Sequence, residues 1–125
     1  MAVGMLTALA DACIGLADDY TWIKLHVGDP GASATTSPAG NTTRMQATWG
    51  AAGAGSTGFR QFSNTAAVTW TGVSTAEDYT HFSAWNASSA GTCGFTGTIT
   101  ANAVLVGDTF TIPIGGLVVT YPIAT

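Results

Sequence analysis

The sequence predicts an all-β fold: an antiparallel β-sandwich, jelly-roll or immunoglobulin-like, of about eight strands with one short N-terminal helix. From Tyr20 onward, apolar and polar residues alternate with the period of a strand, and turn-forming glycines and prolines interrupt the chain often. The 125 residues suffice for one sheet-on-sheet core and not for two. We therefore expect a helical arm at 1–17 and a sandwich domain at 18–125.

Residues 2–17 form the segment with helical periodicity. One apolar stripe runs along it and consists of Met5, Leu9, Cys13 and Leu16. Leu6 lies beside this stripe. Gly15 and the acidic pair Asp18-Asp19 are expected to end the helix, since negative charge at a helix C-terminus opposes the macrodipole. A helix this short is marginal in water without a packing partner. We expect it either to cap the sheet of its own chain or to dock on a neighbouring subunit.

The first strands follow in order. In Thr21–Val27, Ile23 and Leu25 share one face, and the predicted strands after it are Arg44–Trp49, Phe59–Phe62 and Ala66–Trp70. Tyr79–Asn86 carries aromatic residues on both faces, which is typical of a central strand that is covered on both sides. Two long loops without periodicity, 32–43 and 50–58, are candidate contact segments, because small residues can adapt to a neighbour's surface.

The C-terminal third alternates most regularly. Residues 92–99 read as a half-buried strand with a threonine face. Two hairpins are predicted, around the turns Gly107-Asp108 and Gly115-Gly116. Pro113 and Pro122 cannot donate to a ladder, so they are expected at a strand end or a sheet edge.

Charge is scarce: charged residues make up 8% of the chain, against about 25% in typical proteins. Such a surface is either wetted by hydroxyl groups or covered by neighbouring subunits. With three basic residues and a net charge of −4, the chain lacks the cationic patch that nucleic acid requires. The sequence also has no apolar run as long as a membrane helix. We expect neither nucleic acid nor membrane as a partner.

Chemistry-bearing residues are few and scattered. Cys13 and Cys93 lack metal-ligand spacing and are expected to be free thiols. His26 and His81 have no neighbouring ligands in sequence, and the acidic pairs sit side by side instead of across a cleft. No nucleophile elbow, phosphate-binding loop or dinucleotide fingerprint occurs. The expectation is a protein that is not an enzyme and uses no cofactor or metal.

Four tryptophans are many for so short a chain. Most tryptophans of a sandwich fill its core. The alternative is a stacking platform for sugars, for which Trp22 is the best candidate because it lies opposite the apolar face of Ile23 and Leu25.

Three segments carry a resemblance to a known group: Trp22–Gly31 (WIKLHVGDPG), Tyr79–Asn86 (YTHFSAWN) and Gly107–Leu117 (GDTFTIPIGGL). Together with the opening helix, they resemble small virion structural proteins of tailed bacteriophages, especially those of actinobacteria. Members of that group are labelled head decoration, minor tail or tail fibre proteins. The resemblance implies a structural role at the surface of the phage particle. It implies no catalytic residue.

Three functions follow as hypotheses. The first is a capsid decoration (cement) protein bound to the major capsid lattice, as a homo-oligomer for which a trimer is considered. The second is a minor tail or tail-fibre component, and the third is a carbohydrate-binding module. The residues expected to contact partners come from the helix, the outer face and the two loops: Met5, Leu6, Leu9, Trp22, Pro30, Thr35, Pro38, Gly53 and Ser56.

Overall fold

The computed structural model describes residues 4–124, apart from the side chains of residues 101 and 102. Helix α1 spans Thr7–Gly15 and continues into a 3₁₀ turn, Leu16–Asp19. The strands of this part of the chain are β1 (Trp22–His26), β2 (Met45–Gln46), β3 (Gly53–Ala54), β4 (Phe59–Ser63), β5 (Val68–Trp70), β6 (Glu77–Trp85), β7 (Cys93–Val104), β8 (Phe110–Ile112) and β9 (Val118–Pro122). The prediction of an all-β fold with one short helix is confirmed.

The strands pair antiparallel in three sheets. The largest has the order β2-β1-β6-β7, the second β3-β4-β9, and the third is the pair β5-β8. The apolar faces of two of them meet in the main core, where Ile23, Leu25 and Phe82 from the four-stranded sheet join Trp70 and Phe110 from the pair β5-β8. The three-stranded sheet adjoins this core through Phe62 of β4, which packs on Trp49. The architecture is consistent with the predicted sandwich.

Aromatic rings join the layers of this core. The ring of Tyr79 on β6 meets Phe110 on β8 at a centroid distance of 5.0 Å. Trp49 contacts Phe62 of β4 at 5.0 Å and Phe95 of β7 at 6.0 Å. Such edge-to-face and tilted contacts add to the burial of apolar area. Core filling is therefore the role of Trp70, which is 1% exposed, and in part of Trp49.

Strand β6 lies between β1 and β7 and is buried on both faces. Its inner face carries Phe82 and Ala84, while Ser83 on the outer face is also fully buried. The outer cover is the segment after β1, which folds back along that strand: Val27 N donates to Ser37 O at 3.0 Å and Ala39 N to Leu25 O at 3.1 Å. The predicted central strand is thus present. The long loop at 32–43 is tied to the sheet over its first half.

Both C-terminal hairpins were predicted wrongly. A turn is present at each place, but one residue earlier than predicted, since Asp108 N donates to Leu105 O and Gly116 N donates to Pro113 O. After Gly107-Asp108 the chain enters β8, which pairs with β5 and not with β7. After Gly115 it enters β9, which pairs with β4. Asn64 explains the second departure, because its side chain accepts from Leu117 N at 2.9 Å and donates to Pro113 O at 3.0 Å. The turns therefore carry the chain between sheets.

Candidate assembly surface

Helix α1 lies on the three-stranded sheet and contacts β4 and β9. The residues of the helix that are buried are Ala10 and Ile14. A helix was predicted at 2–17, and the observed helix starts later, at Thr7, with Leu6 as its N-cap. Residues 2 and 3 lie outside the described part of the chain. Ala10 is small enough to let the helix axis come close to the sheet, which a leucine at that position would prevent.

An ion pair fixes the helix on the sheet. Arg60 of β4 donates to Asp11 twice, from Nε to Oδ1 at 2.7 Å and from Nη2 to Oδ2 at 2.9 Å. The two parallel hydrogen bonds set the orientation of the guanidinium against the carboxylate. The hydrogen bond from Arg60 is the main reason that the pKa of Asp11 lies below its ordinary value. Ala124 N also donates to Met5 O at 2.8 Å, so the chain entering the helix is tied to the C-terminal segment.

The outward side of this helix carries three exposed leucines, which we call the leucine face: Leu6, 72% exposed, Leu9, 58%, and Leu16, 70%. Leu9 and Leu16 belong to the predicted apolar stripe and Leu6 lies beside it, whereas the other stripe members, Met5 and Cys13, are half-buried, so the exposed part of the stripe points away from the protein's own core. The helix packs on its own sheet through Ala10 and Ile14 instead, and the leucines remain available to a neighbour. Exposed apolar side chains gathered on one surface are typical of an interaction site.

The leucine face has coiled-coil spacing and little charge. Leu6, Leu9, Cys13 and Leu16 are separated by three, four and three residues, as the a and d positions of a heptad are. Between Leu6 and Ala17 the charged residue is Asp11, and Arg60 occupies its carboxylate. Two more apolar residues are exposed on the sheet that carries the helix: Phe59 of β4 is 40% exposed and Val118 of β9 is 47% exposed. The arrangement favours contact with another apolar surface.

The other predicted contact residues lie apart from this surface. Thr35, Pro38 and Ser56 are exposed in loops, Gly53 is half-buried in β3, and Trp22 is half-buried on the outer face of β1. Pro30 requires a correction, because its side chain is fully buried within its own chain under the folded-back segment. It cannot reach a partner. The nine predicted residues therefore do not form one continuous site.

Sequence reasoning missed the residues that seat the helix. Ala10 and Ile14 lie outside the stripe that the periodicity selects, and Arg60 is 49 positions away from Asp11 in the chain. No local pattern connects such distant residues. The signal in the sequence was Asp11, the lone acid of an otherwise apolar helix, because such a carboxylate needs a cation or water as its partner.

Two histidines lie opposite each other on neighbouring strands, a second feature that their separation in the sequence did not reveal. His26 on β1 lies in register with His81 on β6. His26 Nδ1 is 3.0 Å from Thr36 O and its Nε2 is 2.8 Å from Ser83 Oγ, while His81 Nδ1 is 2.8 Å from Thr80 Oγ1. Within residues 4–124, no three His, Cys, Asp or Glu side chains are grouped closely enough to hold a metal ion.

Two further properties concern partners. Both cysteines are free thiols, as expected, and each is half-buried. Among the described residues, no helix is long and apolar enough to cross a membrane.

Comparison with known families gives one match. The family model described as "Podophage GP4 fiber I protein gp80" matches residues 17–120. The matched region holds all nine strands of the described chain up to Thr120 and begins immediately after the leucine face. No curated protein matches the sequence.

Proposed function

Because this chain belongs to the podophage GP4 fiber I protein gp80 family, we propose that it is a fibre subunit that assembles with further copies of itself. Membership identifies it as a structural protein of the phage particle, in line with the resemblance seen in the sequence. The finer assignment is our proposal. The name of the family favours a fibre over capsid decoration. Capsid decoration was the first hypothesis from the sequence, and it stays an untested prediction.

The observation that carries the proposal is the leucine face. A subunit that stayed alone would keep Leu6, Leu9 and Leu16 largely in water, although burial of a leucine is worth about 1.5–3 kcal/mol. Leu9 lies within the α-helix, Leu6 is its N-cap and Leu16 opens the 3₁₀ turn, so the three side chains extend along both ends of one short helix. A second copy offers the same apolar residues for mutual burial. Identical subunits joined in this way form a closed cyclic oligomer. The trimer considered from the sequence is one such form.

We also propose that the role is structural and not enzymatic. Four of the seven carboxylates accept hydrogen bonds within the chain: Asp11 from Arg60, Glu77 from the backbone of Gly40 and Asn41, Asp29 from Gly31 N and Asp108 from Leu105 N. His26 is held between Thr36 and Ser83. These groups stabilise the fold, and that use supports a structural role.

The oligomeric state of the purified chain tests the assembly surface. Sedimentation velocity of the unaltered protein is expected to show an oligomer, and the triple variant Leu6→Ser/Leu9→Ser/Leu16→Ser is expected to be monomeric with an unchanged sandwich. The matched control is Leu105→Ser/Ile114→Ser, because these two residues are each 68% exposed but lie away from the helix. The control should keep the oligomer. A monomeric parent protein, or an oligomer that survives in the triple variant, would overturn the proposed surface.

The copy number in the particle separates a fibre from capsid decoration. Quantitative mass spectrometry of purified virions, with the major capsid protein as the reference, is expected to give few copies per particle. Antibody labelling is expected to locate these copies on discrete appendages. Hundreds of copies spread evenly over the head would instead support the decoration hypothesis. The two experiments are independent, since a decoration protein can also be a homo-oligomer.

A further inference from the structure

A cleft of about 540 Å³ opens on the outer side of the four-stranded sheet, away from the leucine face. One wall is the loop Gly31–Ala34 and the other is the chain from Gly91 to Thr96, which includes the start of β7. Trp85, at the end of β6, lies between them. The volume is in the range of about 300–1,000 Å³ that small-molecule sites occupy.

The indole of Trp85 is held in place before any ligand arrives. Its Nε1 donates to Ser83 Oγ at 2.7 Å, and the guanidinium of Arg44 lies over the ring at 4.2 Å from the centroid. Arg44 is itself fixed, because its Nη1 donates to Ala87 O at 3.0 Å and to Ala90 O at 2.7 Å. A side chain that is already ordered loses little entropy when a ligand binds.

The residues that line the cleft are small and neutral. Around Trp85 they are mostly Gly, Ala, Ser and Thr, and none of them is charged. Ser33 and Thr96 contribute hydroxyl groups from the two walls, and small side chains leave backbone amides and carbonyls accessible. Ser33 Oγ also lies 2.6 Å from Thr35 Oγ1, and a hydroxyl oxygen in one hydrogen bond keeps capacity for another. Arg44, the nearest cation, has its donors directed to carbonyl oxygens. The chemistry therefore suits a neutral, hydroxyl-rich ligand better than an anion.

Both walls also carry unusual backbone. Ala34 has φ 58° and Ala90 has φ 53°, two of the three non-glycine residues with positive φ among the described residues. Each costs about 1–3 kcal/mol relative to a relaxed conformation, and such strain persists where the surrounding structure fixes it. Ala34 is at the cleft and Ala90 directly precedes its second wall. The shape of the cleft is thus built by the fold.

From these observations we propose that this cleft binds a neutral saccharide, with the face of the Trp85 indole opposite Arg44 contacting the apolar C–H face of a sugar ring and with Ser33 and Thr96 bonding its hydroxyls. This site differs from the platform predicted at Trp22. Trp22 lies in register with Trp85 on the neighbouring strand but does not line the cleft. The site is independent of the assembly surface, so either proposal can fail alone.

Indole N–H resonances test the site in the full chain. The Trp85 signal is assigned by its loss in Trp85→Phe, and maltotriose and chitotriose are titrated to about 20 mM, well above a Kd of about 1 mM. We expect at least one saccharide to shift the Trp85 signal. The signals of Trp49 and Trp70 should stay in place, since neither residue lines the cleft. Thr96→Val should weaken binding about fivefold while keeping the strand.

Three results would overturn the proposal. One is that neither saccharide moves the Trp85 signal; another is that Trp49 and Trp70 shift as much as Trp85. The third is that inorganic phosphate, titrated in the same way, shifts Trp85 while the saccharides do not, which would identify an anion site.

Alkylation of the thiols gives a second readout without any variant. Cys93 lines the cleft, whereas Cys13 lies on helix α1. A bound saccharide is expected to slow the reaction of Cys93 with iodoacetamide at least threefold and to leave Cys13 unaffected. Burial raises the pKa of Cys93, so the reaction is best followed at alkaline pH. Equal rates at Cys93 with and without saccharide would count against the site.

Discussion

Arg60 holds Asp11 through two hydrogen bonds of 2.7 and 2.9 Å, and this contact joins the helix to the sandwich. Because the other buried contacts of the helix are the side chains of Ala10 and Ile14, the pair determines how the leucine face is presented. The positions of Asp11 and Arg60 therefore affect the surface that we propose for assembly.

Asp11→Asn should loosen the helix without unfolding the sandwich. An amide cannot accept two charge-assisted hydrogen bonds from one guanidinium. We expect faster hydrogen exchange at residues 7–15 and unchanged exchange in β6. Low pH should act in the same way, because the lowered pKa of Asp11 means that the stabilisation is present above about 3.8 and is lost as the pH falls through the folded-state value. Unchanged exchange in the helix of the variant would show that Ala10 and Ile14 suffice.

Asn64→Ala should destabilise the whole domain. Asn64 is 1% exposed, and its side chain binds three main-chain groups, Ala66 O, Pro113 O and Leu117 N. Removing it leaves buried groups unpaired at about 1–3 kcal/mol each. We expect a loss of about 3 kcal/mol in the free energy of unfolding, measured by urea denaturation. Thr65→Ala, at the exposed neighbouring position, serves as the control. A loss below about 1 kcal/mol would mean that water replaces the amide.

Tyr79→Phe should leave stability unchanged or raise it. The Tyr79 side chain is fully buried, and its hydroxyl makes no hydrogen bond of good geometry within the described residues, although Asn41 and Glu77 are its polar neighbours. Burial is also the main reason that its pKa is raised. Removing a buried, unpaired hydroxyl removes a desolvation cost of about 1–3 kcal/mol. Tyr79→Ala is the contrast and should cost about 3–5 kcal/mol, since the ring packs on Phe110. A clear loss in Tyr79→Phe, seen by thermal unfolding, would indicate a bound water at the hydroxyl.

His26 should make the fold sensitive to mild acid. Thr36 O can accept only, so Nδ1 carries the proton and the Ser83 hydroxyl donates to Nε2, which fixes the neutral ring. Burial lowers the pKa of His26 below its ordinary 6.5. The unfolded chain therefore takes up a proton first. Stability is fully present above pH 6.5 and falls below it, by up to about 1.4 kcal/mol per pH unit, until the folded-state pKa is reached.

Urea denaturation between pH 7.5 and 5 measures this slope. His26→Gln should flatten it, whereas the matched variant His81→Gln keeps the contribution of His26 and should retain it. Equal slopes in the parent protein and in His26→Gln would contradict the assignment.

Local chemistry explains what the sequence could predict. Alternation located β1 and β7, because a half-buried strand needs a side-chain period of two whatever its partner is. The predicted strand Arg44–Trp49 also alternates, but it is a strand only over Met45–Gln46, with an isolated bridge at Trp49. The aromatic residues on both faces of Tyr79–Asn86 correctly predicted a central strand. The turns at Gly107 and Gly115 were also found, and both glycines have positive φ, 90° and 77°.

Strand pairing and the inner face of the helix could not be predicted in this way. A turn sequence does not state whether the next strand returns to its neighbour or crosses to another sheet. Here that choice depends on Asn64, which lies 53 residues before Leu117. In the helix, the larger leucines dominated the periodicity, while the sheet selected the smaller Ala10 and Ile14. For the cleft, Trp22 and Trp85 look alike in sequence, and only the folded-back segment shows which of them borders a cavity.

The division of labour on helix α1 has a consequence for the evolution of the particle. Attachment to the subunit uses Ala10, Asp11 and Ile14, while Leu6, Leu9 and Leu16 are largely exposed and are the residues that we propose contact a neighbour. The two sets share no residue. Substitutions at the three leucines can therefore change the neighbour that the helix fits without altering the contacts that hold the helix on the sandwich. The partner of the subunit can thus diverge between phage lineages while the domain stays the same.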